Sequence, residues 1–231
     1  MNALPAMHKD YYYIENLIPE GYQNLIYQEV FDNWQHGIPF IWNGNTVNRT
    51  KEKTQNMMQE YLKQRNINID WDMVVDHPQF VHMLFGEKEL IEPLTGKPIF
   101  TRESSPFKYL FKGLIDCLYA KTDLNIKNFG APFTRGKINL VTPQPNYSEK
   151  WYAIPHFDIL PTQYKGEWSL IYYINDSDGD TRLFLENDEV VSFTPKKGSA
   201  LLFKSNILHA GSPPTQTNAR SVVNIILKIG E

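Results

Sequence analysis

The sequence predicts an α+β chain with a mainly β core, an antiparallel sandwich or barrel with helices packed on one sheet. Three observations carry this expectation. From about residue 137 onward, short apolar segments alternate with turn-rich ones, which is the texture of strands. No helix-length apolar pattern separates those segments, and a parallel sheet built from helical crossovers would need one. Helix-like periodicity is confined to the first 135 residues.

In chain order, the first helix is expected within "IPEGYQNLIYQEVFDNW", where Tyr22, Leu25, Ile26, Val30 and Trp34 recur near helical spacing after Pro19 and Glu20. A second is expected over "KTQNMMQEYLKQRN". The clearest is "SSPFKYLFKGLIDCLYAK": Ser105 can cap, Pro106 suits a first turn, and Phe107, Leu110, Phe111, Leu114 and Leu118 form an apolar face. The strands expected after these are "KINLV", "HFDIL", "WSLIYYIN", "TRLFLE", "EVVSFTP", "SALLFK" and "SVVNIILKI", with the Pro-rich loop "TPQPNYSEKWYAIP" after the first. "WSLIYYIN" and "SVVNIIL" are apolar on both faces, as strands covered on both sides should be. The 231 residues are read as one domain, 1–231, with a mixed helical support region over 1–135 and the β core over 136–231.

Composition narrows the functional classes. Net charge is −3 with the signs interspersed, so there is no electrostatic footprint for a nucleic-acid backbone. No apolar run approaches the length of a membrane span, and no signal segment opens the chain. Cys117 is the only cysteine, which excludes an intrachain disulfide and suits a reducing, cytoplasmic setting. The oligomeric state is not legible. The acidic turn "NDSDGDTRLFLE" does not fit a calcium loop, because Ile174 and Leu185 would fall where oxygen ligands are required. His77 and His82 are five apart, a spacing that aligns on neither a helix nor a strand, and are read as structural.

The chemistry concentrates in "YAIPHFDIL". In a strand, residues two apart share a face, so His156 and Asp158 would point together, with Phe157 opposite. Taken alone, such a pair is ordinary on a strand. His209 ends a later apolar strand, however, and Arg220 opens another after an intervening turn. Two imidazoles and one carboxylate are the facial ligand set of non-haem Fe(II) oxygenases, and a buried arginine is a fork for a dicarboxylate.

In order and spacing, "PHFD", "SLIYYINDSDGDTRLF", "PKKGSALLFKSNILHAG" and "RSVVNIIL" resemble the 2-oxoglutarate- and Fe(II)-dependent dioxygenases, in texture the prolyl-hydroxylase-like branch. The resemblance covers residues 137–229 and implies a double-stranded β-helix of the jelly-roll or cupin-like kind. It implies Fe(II) held by His156, Asp158 and His209, with 2-oxoglutarate and dioxygen as cosubstrates. The implied reaction converts 2-oxoglutarate to succinate and carbon dioxide while hydroxylating a small amino-acid-like molecule or a protein side chain such as prolyl. Retention of Asp158 favours hydroxylation, since halogenating relatives lack that carboxylate. Arg220 would hold the distal carboxylate of 2-oxoglutarate, with Tyr173 beside it. Ser169 shares Tyr173's face by alternation, and Asn224 shares that of Arg220, so both are cosubstrate-site candidates. For the group at the iron-proximal carboxylate, Asn139, Thr142 and Tyr147 all remain open. Tyr147, Trp151 and Tyr152 sit in a loop that could cover the substrate. The family's usual small-residue turn "GGET" is replaced by the more acidic "DGDT", residues 178–181. The alternative reading is a metal-binding protein on the same barrel, either non-catalytic or cupin-like without 2-oxoglutarate.

Overall fold

The computed structural model describes residues 6–33, 36–44, 50–91, 98–122, 133–144 and 147–228. Two sheets face each other. The large one contains β1 (Ala6–His8), β2 (Tyr11–Ile14), β3 (Ile41–Asn43), β4 (Gln79–Ile91), β5 (Pro98–Ser104), β6 (Phe133–Val141), β7 (Glu167–Tyr173), β10 (Ala200–Lys204) and β12 (Arg220–Lys228). Its order is β1-β2-β10-β7-β12-β6-β4-β3, with β5 paired to β4. The small sheet is β8 (Thr181–Phe184), β9 (Val190–Phe193) and β11 (Leu208–Gly211), in the order β11-β8-β9. All named strand pairs are antiparallel. This is the expected double-stranded β-helix.

Alternation along the central strands sorts the side chains into two layers. Leu170 and Tyr172 of β7, Leu202 of β10 and Val223 and Ile225 of β12 point outward. There they bury against helices α1 (Glu20–Tyr27) and α3 (Lys112–Lys121), through Ile26, Leu114 and Leu118. Ile171, Tyr173, Leu201, Phe203 and Val222 point inward onto Leu183 of the small sheet and Leu185 just beyond it. The inner layer is where polar groups can be held dry.

The expectation that the helices share one sheet is corrected. α2 (Lys51–Arg65) packs Met58 and Leu62 with Tyr152, Ile154, Phe184 and Leu208, on the small-sheet side. Its ends are set by local chemistry: Thr50 Oγ1 accepts from the Lys53 N–H, and Asn66 closes the helix in the left-handed region at φ 50°. The third helix begins as expected, with Ser105 Oγ accepting from the Phe107 N–H, but its first six residues, Pro106–Phe111, are 3-10 before α3 follows. The first helix ends early in a π turn over Gln28–Asp32, and Trp34 lies outside the described residues. The first 135 residues also supply more than helical support: β1 to β5 extend the large sheet on both flanks.

"HFDIL" is not a regular strand. The segment touches the small sheet by one bridge, His156 to His209. Its ladder bonds come from the N–H groups of Ala153, His156 and Ile159, to Gly211, His209 and Ser205 respectively. That spacing of three cannot be a pleated ladder, which repeats every two residues. Pro155 and Pro161 remove two donors that a continuous strand would need. His156 and Asp158 converge through a bend rather than through alternation.

Candidate active site

His156 enters on this bent segment, and His209 stands opposite it on β11. The two backbones bond reciprocally, His156 N–H to His209 O at 2.9 Å and His209 N–H to His156 O at 3.0 Å. This pairing brings the imidazoles together, tilted by 49° with 4.4 Å between ring centroids. Asp158 completes the group. One donor atom from each of His156, Asp158 and His209 lies within 4.8 Å of the others.

Tautomers are fixed by neighbours that can only accept. His156 Nδ1 faces the Ile154 carbonyl at 3.2 Å and His209 Nδ1 faces the Ile207 carbonyl at 3.0 Å. Each Nδ1 therefore carries the hydrogen, leaving the Nε2 lone pair free to ligate. Burial holds both rings neutral. The His156 imidazole is pushed down to about 3, with His209 beside it adding to the effect, and His209 is lowered by burial as well. Burial alone would raise the Asp158 carboxyl, but the Arg135 guanidinium above all, with the Ser169 hydrogen bond, outweighs it and holds it ionised. Two neutral imidazoles and one carboxylate suit a divalent ion without loss of a proton at neutral pH.

These protonation states have a stability consequence. The folded imidazoles titrate below the unfolded value of about 6.5, so the unfolded chain binds more protons as pH falls from there. Stability present above about pH 6.5 is lost on acidification, by up to about 1.4 kcal/mol per pH unit for each imidazole. The depressed Asp158 acts in the same direction, but only below about pH 4. The thermal midpoint of metal-free protein should drop by several degrees from pH 7 to pH 5, and less so in His156→Asn. An unchanged midpoint would contradict neutral burial.

A ring of donors holds Asp158. Arg135 Nη2 donates to its Oδ1 at 2.5 Å, Ser169 Oγ to its Oδ2 at 2.7 Å, and Asn224 Nδ2 to Oδ2 at 3.4 Å. Ser169 and Asn224, expected at the cosubstrate, thus reach the carboxylate that would ligate the ion. Arg135 was not anticipated from the sequence.

Arg220 lines a small inner cavity together with His156, His209, Asn139 and Asn224. Its Nε donates to the Gly179 carbonyl at 2.8 Å and its Nη2 to Thr181 Oγ1 at 2.7 Å. Tyr173 is fully buried behind this pair and donates to the same Thr181 oxygen at 3.0 Å. With two donors already on its oxygen, Thr181 keeps its own hydroxyl hydrogen for the cavity. Glycines make room for the guanidinium: a Cβ on Gly179 would lie 2.5 Å from the Ser212 carbonyl oxygen and 3.0 Å from Arg220 Cδ. The acidic turn fixes the approach, since Asp178 accepts from the backbone N–H groups of Thr215, Gln216 and Thr217.

Two buried oxygens in the cavity wall, Asn139 Oδ1 and Asn224 Oδ1, have no hydrogen-bond partner among the described residues. Such orphaned groups mark a space built to receive a polar ligand. Of the three residues left open earlier, Asn139 lines this cavity, whereas Thr142 and Tyr147 do not. His77, read from sequence as structural, also lines it; His82 is structural, bonded to the Pro39 carbonyl and to Ser105 Oγ.

Outside the triad an open cleft of about 610 Å³ begins at His156 and Asp158 and runs between α2 and β4 to an exposed rim at Ile41 and Trp42. Tyr147, Trp151 and Tyr152 line neither space. Tyr147 packs edge-on against His77 and Trp151 and donates to the Asp76 carbonyl, while Tyr152 is buried and donates to the Asp70 carbonyl.

Comparison with known proteins agrees with this geometry. A family model described as the 2OG-Fe(II) oxygenase superfamily matches residues 145–228. No curated protein matches the chain. Among solved structures, a Trichoplax adhaerens prolyl hydroxylase, in complex with a hypoxia inducible factor peptide fragment, has a similar fold. Its TM-score is 0.55 at 14% identity, over 95% of this chain and 83% of that one. The alpha-ketoglutarate-dependent epimerase SnoN of nogalamycin biosynthesis is similar at TM-score 0.51 and 10% identity, over 95% of this chain and 79% of that one. The same epimerase in complex with Fe3+, alpha ketoglutarate and nogalamycin RO gives TM-score 0.52 at 9% identity, over 95% and 80%. Among the described residues no helix is long and apolar enough to cross a membrane. The chain thus shares its double-stranded β-helix fold with these structures, and its segment 145–228 matches the 2OG-Fe(II) oxygenase superfamily model.

Proposed function

We propose that the chain couples oxidative decarboxylation of 2-oxoglutarate to hydroxylation of a small amino-acid-like molecule or a protein side chain such as prolyl. His156, Asp158 and His209 would hold Fe(II), and Arg220 would hold the distal carboxylate of 2-oxoglutarate. The observation that carries this reading is the common cavity: both imidazoles and a buried arginine line one inner space. Fe(II), when bound, supplies the activation of dioxygen. The chain supplies orientation and charge. Arg220 and the Thr181 hydroxyl would donate to the distal carboxylate, and Asn224 and Ser169 would hold Asp158 toward the ion. The apolar inner layer keeps bulk water away. A cupin-like protein that uses the metal without 2-oxoglutarate has no need of this buried guanidinium, so Arg220 favours the oxygenase. The solitary Cys117 supports a cytoplasmic setting.

The test is whether 2-oxoglutarate binding depends on the metal. At about a hundred times its dissociation constant, 2-oxoglutarate should stabilise the Mn(II)-loaded protein by about 2.7 kcal/mol, a shift of several degrees. The shift should shrink sharply without a divalent ion. Aerobic Fe(II) protein should release succinate, and a screen over free amino acids and peptides should show which compounds accelerate that release. A shift of equal size without metal would sink the proposal.

A further inference from the structure

Lys137 has no role in the chemistry described above, yet it occupies the centre of the site. It stands on β6 between Arg135 and Asn139 on the inward face, and with His156 and Gln79 it forms part of the wall of both the inner cavity and the outer cleft. Arg135 beside it is committed to Asp158. No described residue accepts a hydrogen bond from the Lys137 ammonium, although Asp158 is near enough to favour its charge, so among the described residues it is a cation at the seam of two ligand spaces with its three donors unclaimed. Burial and the adjacent Arg135 lower it to about 8, so it remains largely protonated at neutral pH.

The charge balance points the same way. Arg135, Lys137 and Arg220 line the two spaces against the single carboxylate of Asp158. Fe(II) and dianionic 2-oxoglutarate would cancel one another, leaving the protein's excess of two positive charges unmatched. On that reading Arg220 and Thr181 would answer the distal carboxylate of 2-oxoglutarate in the inner cavity. The remaining ammonium can reach the cleft, whose rim offers the apolar surface of Ile41 and Trp42. A ligand with an anionic end inward and an apolar body outward fits that distribution.

We propose that Lys137 is the receptor for a carboxylate carried by the substrate, which makes the outer cleft selective for acids over their neutral amides. This inference rests on the oxygenase reading and specifies its substrate class. The other source of the same chemistry is the iron-proximal carboxylate of 2-oxoglutarate, and the experiment separates the two.

Full-length protein loaded with Zn(II) and 2-oxoglutarate is titrated calorimetrically with the twenty free amino acids, their N-acetyl derivatives, and the matching amides. The same panel is run in the Lys137→Met and Lys137→Arg variants, together with the titration of 2-oxoglutarate itself. Expected are acids that bind at least ten-fold tighter than their amides, a preference that disappears in Lys137→Met and survives in part in Lys137→Arg. The affinity for 2-oxoglutarate should change by less than about two-fold in either variant. Amides that match their acids, or a panel in which no carboxylate compound binds, would overturn the inference while leaving metal-dependent binding of 2-oxoglutarate intact. A large loss of 2-oxoglutarate affinity in Lys137→Met would overturn it in favour of the proximal carboxylate. Failure of wild-type protein to bind 2-oxoglutarate in the presence of metal would instead remove the oxygenase reading on which it stands.

Discussion

Asp158→Ala is expected to abolish succinate formation coupled to substrate, at least a thousand-fold below wild type, and to lower the thermal midpoint of the metal-free protein. The two effects have separate causes. Losing one partner that merely orients a ligand costs about ten- to a hundred-fold in metal affinity or activity, and losing a ligand costs more. The stability loss comes from the donors left behind. Asp158 accepts from Arg135, Ser169 and Asn224, and its side chain is only 1% exposed. Breaking a fully buried ion pair costs about 3–5 kcal/mol. The Arg135 side chain is 32% exposed and can turn to water, which reduces the expected loss to about 1–3 kcal/mol. For a chain of this length that is about 2–4 °C per kcal/mol. Asp158→Asn separates the effects, because the amide oxygen can still accept from Arg135. It should retain most of the thermal midpoint and still lose turnover. Wild-type turnover in either variant would exclude Asp158 as a ligand.

The same carboxylate shows what the sequence can and cannot disclose. His156, Asp158, His209 and Arg220 are legible because their residue types are improbable in apolar runs and their order along the chain is distinctive. The reason first given for the convergence of His156 and Asp158, alternation along a strand, is not how the chain does it. A bend between Pro155 and Pro161 brings them together, and only the partner strand β11 reveals that. Arg135 and Lys137 were open to the same alternation argument, since with Asn139 they occupy every second position of β6. Their charge had no visible counterpart, because Asp158 lies 23 residues from Arg135 and the pairing exists only once the sheets close.

Tertiary pairing also explains the elements missed in the first third. β1, β2 and β3 are three or four residues long and bury too little to announce themselves, but each continues an existing sheet edge. β4 pairs with β6 and so places Gln79, Val81 and Met83 along the cleft. A region that reads as helical cover therefore builds one wall of the proposed substrate site. Helical periodicity survives in isolation better than short strands do, because a strand's signal depends on which neighbour covers it.

Arg220→Ala should weaken 2-oxoglutarate binding by about 30- to 1000-fold, equivalent to about 2–4 kcal/mol, with little change in metal affinity. Arg220 is only 6% exposed and its guanidinium already has two acceptors, Gly179 O and Thr181 Oγ1, which fix its plane before any ligand arrives. A preset fork loses little conformational freedom on binding, so the full charge-assisted contact appears in the affinity. Arg220→Lys tests that geometry. A lysine keeps the charge but cannot donate at once to Gly179, Thr181 and a carboxylate in one plane, and it should recover no more than about a tenth of the lost affinity. Both variants should keep binding Mn(II), because Arg220 bonds to Gly179 and Thr181 and makes no hydrogen bond to His156, Asp158 or His209 among the described residues. Titration of 2-oxoglutarate into the Mn(II)-loaded variants reads the effect directly. A dissociation constant within about three-fold of wild type in folded Arg220→Ala would mean that the distal carboxylate binds elsewhere, and the depth of the inner cavity would then have to serve some other ligand.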